Sequence, residues 1–393
     1  MLVALAAAIF MVSLDARVVA PLLPTIARDF GVSMAVAGWT VSAYQLPYGV
    51  FQLAYGPLAD RFGKIRVATA AMIVFSVGTA VCGTGHAFWT VVAFRALTGA
   101  AAAAVFPLTL AFIGDNVPYA QRQPTIGGIM AASSAAQAFS TAAGGLLATV
   151  VSWRMVFPIL GALAGAATLW LVAVRRHAPG AAFRASEGPV PGTGRRPQVA
   201  EVLRSPQLVP LLALVASEGF LFFGAFSYLS GLMEQQLGLR VLAVGAILGL
   251  TGIAQLAATS QLRRALARHG ERNLLAAGGV TMALAYLACA LWPTTIIIIL
   301  ACLAMGAGFV ACHTTLQTRA TEAAPAARAT AISLFAFSLF VGSAAGTVSF
   351  GYLADAVGFR YTFGLAGVGL FAFTIVVTRV LGLRATRPAA GPG

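Results

Sequence analysis

Asp15 and Glu218 are carboxylates set inside long apolar runs, and Arg17, Arg95 and His313 share that setting. A charge at the centre of a bilayer costs about 2.5–3.5 kcal/mol, so such a group faces a cavity or a partner. A carboxyl placed there can bind a proton, the cationic group of a small molecule, or each in alternation. Asp15 lies midway along the first apolar run, and Glu218 sits about eleven residues into the seventh, near its middle. Asp15 has two other readings open: it pairs with Arg95, or Arg95 instead extends toward the nearer membrane surface. Arg17 would then reach another acceptor. His313 has no partner in its sequence neighbourhood and reads as a hydrogen-bonded packing residue.

Other chemistries find no residues to carry them. No phosphate loop of the form G-x-x-x-x-G-K-[ST] is present, which excludes ATP hydrolysis by the usual cradle. No His and carboxylate pattern suggests a metal, and no Ser-His-Asp context suggests a hydrolase. The four cysteines, Cys82, Cys289, Cys302 and Cys312, all fall in apolar runs without metal or disulfide spacing, so they read as buried thiols. The chain is therefore not expected to be an enzyme, and it is expected to need no cofactor.

The elements that must position the two acids are membrane helices. Of 393 residues, 59% are hydrophobic and 9% charged, with a mean hydropathy of +0.88, which is too little charge to cover a water-exposed surface. Apolar runs of about 20 residues, the length that crosses the hydrocarbon layer as helix, recur from end to end. They fall at 2–27, 34–58, 66–85, 88–114, 123–149, 153–174, 207–233, 239–262, 273–292, 294–318, 329–353 and 359–383. None alternates polar and apolar with period two, which excludes a barrel. The expected fold class is an all-α membrane protein of twelve transmembrane helices. The first run continues past Asp15 and Arg17 to Pro24 without a basic leader, so it reads as span 1 rather than a signal peptide. A few cytoplasmic residues are expected ahead of Met1.

The net charge of +14 is distributed by side. Nineteen Arg and Lys residues fall on loops of one side and four (Arg28, Arg154, Arg240, Arg360) on the other, a bias that makes both termini and the long central loop cytoplasmic. Short basic loops between apolar helices are not a folded basic face, so nucleic acid is excluded as a partner. The partners expected are a small organic substrate and the lipid bilayer, with the chain working as a monomer in a bacterial-type inner membrane.

Internal echoes divide the chain. Gly145-Leu-Leu-Ala-Thr-Val-Val-Ser-Trp-Arg154-Met-Val-Phe157 is repeated in outline by Gly351-Tyr-Leu-Ala-Asp-Ala-Val-Gly-Phe-Arg360-Tyr-Thr-Phe363. Arg61-Phe-Gly63 is echoed by Arg268-His-Gly270 at nearly the same offset. Two echoes at a common offset indicate two pseudo-symmetric six-helix bundles, 1–174 and 207–393, joined by a Pro-, Gly- and Arg-rich cytoplasmic linker at 175–206.

The loop Gly56-Pro-Leu-Ala-Asp60-Arg61-Phe-Gly63-Lys64-Ile-Arg66 resembles the signature G-x-L-a-D-R-x-G-r-k-x of the major facilitator superfamily, and it sits between spans 2 and 3 as in that family. Arg95-Ala-Leu-Thr-Gly99 resembles the family's second motif, and the stretch from Leu14-Asp15 to Pro24-Thr-Ile-Ala27 resembles the opening of its twelve-span drug:proton antiporter branch. The resemblance implies the major facilitator fold, alternating access around a central cavity, and a proton gradient as energy source. It also implies that spans 1 and 7, and with them Asp15 and Glu218, line that cavity. The branch carries G-P-x-x-G-G in span 5; Ser140-Thr141-Ala-Ala-Gly144-Gly145 keeps the last two glycines and lacks the Gly-Pro.

Elementary physics assigns the signature loop a latch. Gly56 and Gly63 permit close approach and a tight turn. Asp60 would accept from the N-terminus of span 11 near Ala329, an anion at a positive dipole end, and Arg61 or Arg66 would pair with Asp115. Lys64 completes the basic turn. Spans 1, 2, 5, 7, 8 and 11 offer Tyr44, Gln45, Gln52, Gln137, Phe222, Phe226, Tyr228, Gln255 and Phe335 as cavity-lining groups. Aromatics and amides beside one or two acids suit amphipathic or cationic organic molecules. The function expected is proton-coupled efflux of such molecules. Proton-linked uptake or uniport of a metabolite is the alternative, and a channel-like pore is the reading of a different class.

Overall fold

The computed structural model describes residues 1–177, 205, 207–324 and 327–380; every regular element among the described residues is helical. Most of the expected linker, 178–204, lies outside them. The helices are α1 Leu2–Phe30, α2 Met34–Phe62, α3 Lys64–Cys82, α4 Phe88–Asn116, α5 Tyr119–Val150 and α6 Trp153–His177. They continue as α7 Leu208–Gln235, α8 and α9 within Val241–Leu291, α10 Thr295–Ala323, α11 Arg328–Val357 and α12 Phe359–Val380. The Val241–Leu291 element is two helices, 241–269 and 271–291, because Gly270 (φ 73°, ψ 163°) has non-helical geometry. The twelve helices of the sequence reading are thus present.

Among the described residues nine elements are long and apolar enough on their own to cross a membrane, and α2 and α5 are the long helices outside that set. Their sequences explain it: α2 carries Tyr44, Gln45, Tyr48 and Gln52, and α5 carries Ser133, Ser134, Gln137 and Ser140. The two least apolar helices line the central cavity, where polar groups meet something other than lipid.

Turn glycines mark the repeat. Gly63 between α2 and α3 has φ 91° and Gly270 between α8 and α9 has φ 73°, a conformation that costs a side-chain-bearing residue about 1 kcal/mol or more. These are the glycines of the Arg61-Phe-Gly63 and Arg268-His-Gly270 echo. The Ser33 hydroxyl accepts from Val36 N–H at 3.3 Å to start α2, and Thr294 does the same for Ile297 at the start of α10.

With little hydrophobic drive between helices in lipid, packing rests on small residues. A Cβ on Gly145 of α5 would lie 2.7 Å from Val241 O and 3.0 Å from Gly245 Cα of α8, so these helices touch backbone to backbone. Gly145 is one of the two glycines that span 5 keeps, and its missing side chain is what allows the contact.

Candidate functional site

Between the helices lies a cavity of about 360 Å³, lined from α1, α2, α4, α5, α7, α8, α10 and α11. Seven of the nine expected lining residues are on its wall: Tyr44, Gln45, Gln52, Gln137, Phe226, Gln255 and Phe335. Phe222 and Tyr228 are not. Phe222 is fully buried, stacked on Phe309 at 4.9 Å with Tyr286 against its edge. The Tyr228 hydroxyl donates to Thr347 O at 2.6 Å and fixes α7 to α11. The cause is local. Gly219–Phe223 forms a π-helical turn inside α7, which inserts extra winding and rotates the following face, so that Phe223, Phe226 and Ser227 reach the cavity instead.

Neither acid lines the cavity, contrary to the expectation carried by the resemblance. Asp15 is 1% exposed, and its Oδ2 accepts from Arg95 Nη1 at 2.7 Å. Arg95, equally buried, also donates its Nε–H to Thr40 O at 3.3 Å and lies 4.3 Å from the centre of the Tyr44 ring. Of the readings left open, Arg95 therefore pairs with Asp15 and does not extend to the surface. Tyr44, which does line the cavity, stands between that ion pair and the space.

Glu218 is 0% exposed and is joined to His313 of α10, whose Nδ1 lies 2.9 Å from Glu218 Oε2. His313 is on the cavity wall, sandwiched by Phe309 (4.6 Å, stacked) and Phe335 (5.0 Å). The Cys312 thiol faces Glu218 from the same helix. Sequence reasoning set His313 aside as a packing residue: Glu218 and His313 are 95 positions apart, and only the packing of α7 on α10 unites them. One signal was available, since both sit near the middle of their apolar runs.

Both acid-bearing helices lose regularity just after the acid. A 3-10 turn at Ala20–Leu22, containing Pro21, follows Asp15 and Arg17, and the π turn follows Glu218 directly. Each carboxylate keeps one buried oxygen without a hydrogen bond, Asp15 Oδ1 and Glu218 Oε1.

The ends of the bundle differ. At the end away from the basic loops, Arg28 of α1 pairs with Glu234 of α7, and Asp355 of α11 accepts from the Ala35 N–H at the start of α2 at 3.0 Å. Asp355 is an anion at a helix N-terminus, the geometry expected of Asp60 at the opposite end. At the basic end, Lys64 pairs with Asp115 and Arg319 with Glu271 at 2.7 Å through Nε, each pair within one bundle. Asp115 pairs with Lys64, which opens α3 beside the end of α4, whereas the Arg61 guanidinium lies over Phe62. Gly56 meets nothing within 4 Å of an added Cβ, so it mediates no close helix approach here. The start of α11 at Ala329, the expected partner of Asp60, lies outside the described side chains.

A two-bundle arrangement of apolar helices around a closed-ended cavity is the architecture of a membrane carrier. The family model of the Major Facilitator Superfamily matches residues 5–347 and, in an overlapping match, 233–393, and the chain belongs to that family. The MFS-type transporter YceJ of Bacillus subtilis (strain 168) is 29% identical over 355 residues, covering 88% of this chain and 86% of YceJ. The multidrug export protein EmrB of Haemophilus influenzae (strain ATCC 51907 / DSM 11121 / KW20 / Rd) is 28% identical over 154 residues, 39% of this chain and 30% of EmrB. Among solved structures, a bacterial homologue of the human lysosomal transporter Spinster, in an inward-facing and unoccupied conformation, superposes with a TM-score of 0.76 at 18% identity. It covers 99% of this chain and 98% of that one, a likeness of fold.

Proposed function

We propose that this transporter exports amphipathic organic molecules across a bacterial inner membrane by alternating access, in exchange for protons bound at Glu218 and His313. The observation that carries the reading is the 2.9 Å contact between fully buried Glu218 and cavity-wall His313. Imidazole is the side chain suited to changing charge under physiological conditions, so the pair links a buried acid to the cavity by a group that can gain or lose a proton. Asp15 is held by Arg95, whose guanidinium does not deprotonate in proteins.

Export as the direction is supported by the similarity to EmrB over the matched segment. With the basic loops cytoplasmic, Arg28–Glu234 and Asp355–Ala35 close the outer end, and Asp60 would close the inner end in the alternate state. Everted vesicles with an acidic interior test the reading. An amphipathic fluorescent dye should accumulate inside them and leak out when the pH gradient is collapsed. Accumulation that ignores the gradient, or runs only with its reversal, would refute proton-coupled export.

A further inference from the structure

Among the described residues, the charges that meet at mid-membrane come in pairs, with one exception. Asp15 is matched by Arg95 and Glu218 faces His313. Arg17, two positions beyond Asp15 and close to the midpoint of α1, lines the cavity and makes no ion pair or side-chain hydrogen bond among the described residues. Its guanidinium rests 4.7 Å over the Phe223 ring, which steadies it but leaves its positive charge uncompensated. A cation held at this depth calls for a counter-charge, and the wall supplies no carboxylate: Asp15 and Glu218 are both turned behind it.

We infer that the counter-charge arrives with the substrate: Arg17 is the cavity's anion-binding residue, and the transported molecule is an aromatic or aliphatic monoanion, a carboxylate or sulfonate. This rests on the reading of the cavity as the transport site and departs from the expectation of an amphipathic or cationic substrate. Guanidinium presents a planar fork of donors that matches a carboxylate with two parallel hydrogen bonds. Two further donors on the same wall have no partner, Gln255 Nε2 and the Ser343 hydroxyl. Phe223, Phe226, Phe309 and Phe340 give the apolar remainder of the molecule its surface. Among the described residues Arg17 is the one Arg or Lys on the wall, so a single negative charge is neutralised; a phosphate dianion would need a second permanent cation.

The test uses three probes of one shape: 1-naphthoate, 1-naphthamide and 1-naphthylmethylammonium. Equilibrium binding to purified full-length protein in detergent is measured for the wild type, Arg17→Lys and Arg17→Gln, each first checked for monodispersity. Wild type should prefer naphthoate over both others by at least about tenfold. Arg17→Gln should lose that preference while keeping naphthamide affinity within about twofold, and Arg17→Lys should keep part of it. Equal affinity for the three probes, a preference for the ammonium, or a naphthoate preference that survives Arg17→Gln overturns the inference, as does absence of naphthoate binding to wild type. Flux in everted vesicles separates this from the coupling reading. Arg17-dependent naphthoate binding without gradient-driven flux leaves the anion site standing and removes proton exchange. Gradient-driven flux of the ammonium alone does the reverse.

Discussion

Asp15 in α1 and Glu218 in α7 fall within about one helical turn of equivalent places when the two bundles are matched by their sequence echoes, yet they are held differently. Asp15 faces a guanidinium, with Tyr44 between the pair and the cavity; Glu218 faces an imidazole that itself forms part of the cavity wall. A carboxylate bonded to arginine has a partner that keeps its charge. A carboxylate bonded to histidine has one that can change it, in contact with the cavity. The same scaffold thus sets one acid against a permanent cation, a fixed pair, and the other against an imidazole, so repetition of a fold does not repeat its chemistry.

The largest expected effect breaks the fixed pair. Arg95→Ala strands Asp15 as an unpaired buried carboxylate, and removing one partner of such a pair costs about 3–5 kcal/mol. Thermal unfolding in detergent should show a large loss, much of it recovered when Asp15→Asn is added. His313→Ala should cost less, about 1–3 kcal/mol, because it removes a hydrogen-bond partner of Glu218 rather than a permanent counter-charge. Equal losses for Arg95→Ala and His313→Ala would erase the distinction between the pairs.

The next effect is on coupling. His313→Asn keeps a polar group beside Glu218 but removes the titratable ring, so substrate flux should lose its dependence on external pH while the protein stays folded. Coupling between two ligands of one carrier is typically worth about 5–150-fold, and the gradient-driven stimulation should fall by an amount in that range.

A smaller effect concerns the ends. Asp355→Asn replaces a charged acceptor at the start of α2 with a neutral one, a change worth about 0.3–1 kcal/mol. Cysteine accessibility near Ala35 should rise by a few-fold, with flux moderately reduced. Asp60→Asn at the other end should cut transport with expression intact; unchanged flux would remove the latch.

Much of the fold was legible in the sequence because lipid imposes it: apolar length, basic-loop bias and the Gly63 and Gly270 turns each follow from a single physical demand. Asp15–Arg95 was legible as one option, since both charges stand in apolar runs. Glu218–His313 was not, because the contact depends on how α7 packs against α10 over 95 intervening residues. The misplacement of Phe222 and Tyr228 has a specific cause as well. Residue type alone named them, and it does not say which way a helix faces; the π turn at Gly219–Phe223 winds α7 so that Phe223, Phe226 and Ser227 meet the cavity. The Lys64–Asp115 pair shows the same limit at shorter range: helix geometry brings Lys64 to Asp115.

On the proposed function, the Glu218–His313 pair carries the proton. Dye flux into everted vesicles, measured with and without an imposed acidic interior for the wild type, Glu218→Gln and Asp15→Asn, tests it most directly. Glu218→Gln should lose the response to the gradient, retaining equal flux with and without it, while any correctly folded Asp15→Asn protein keeps a response. A Glu218→Gln protein whose flux still follows the gradient as the wild type does would contradict the account.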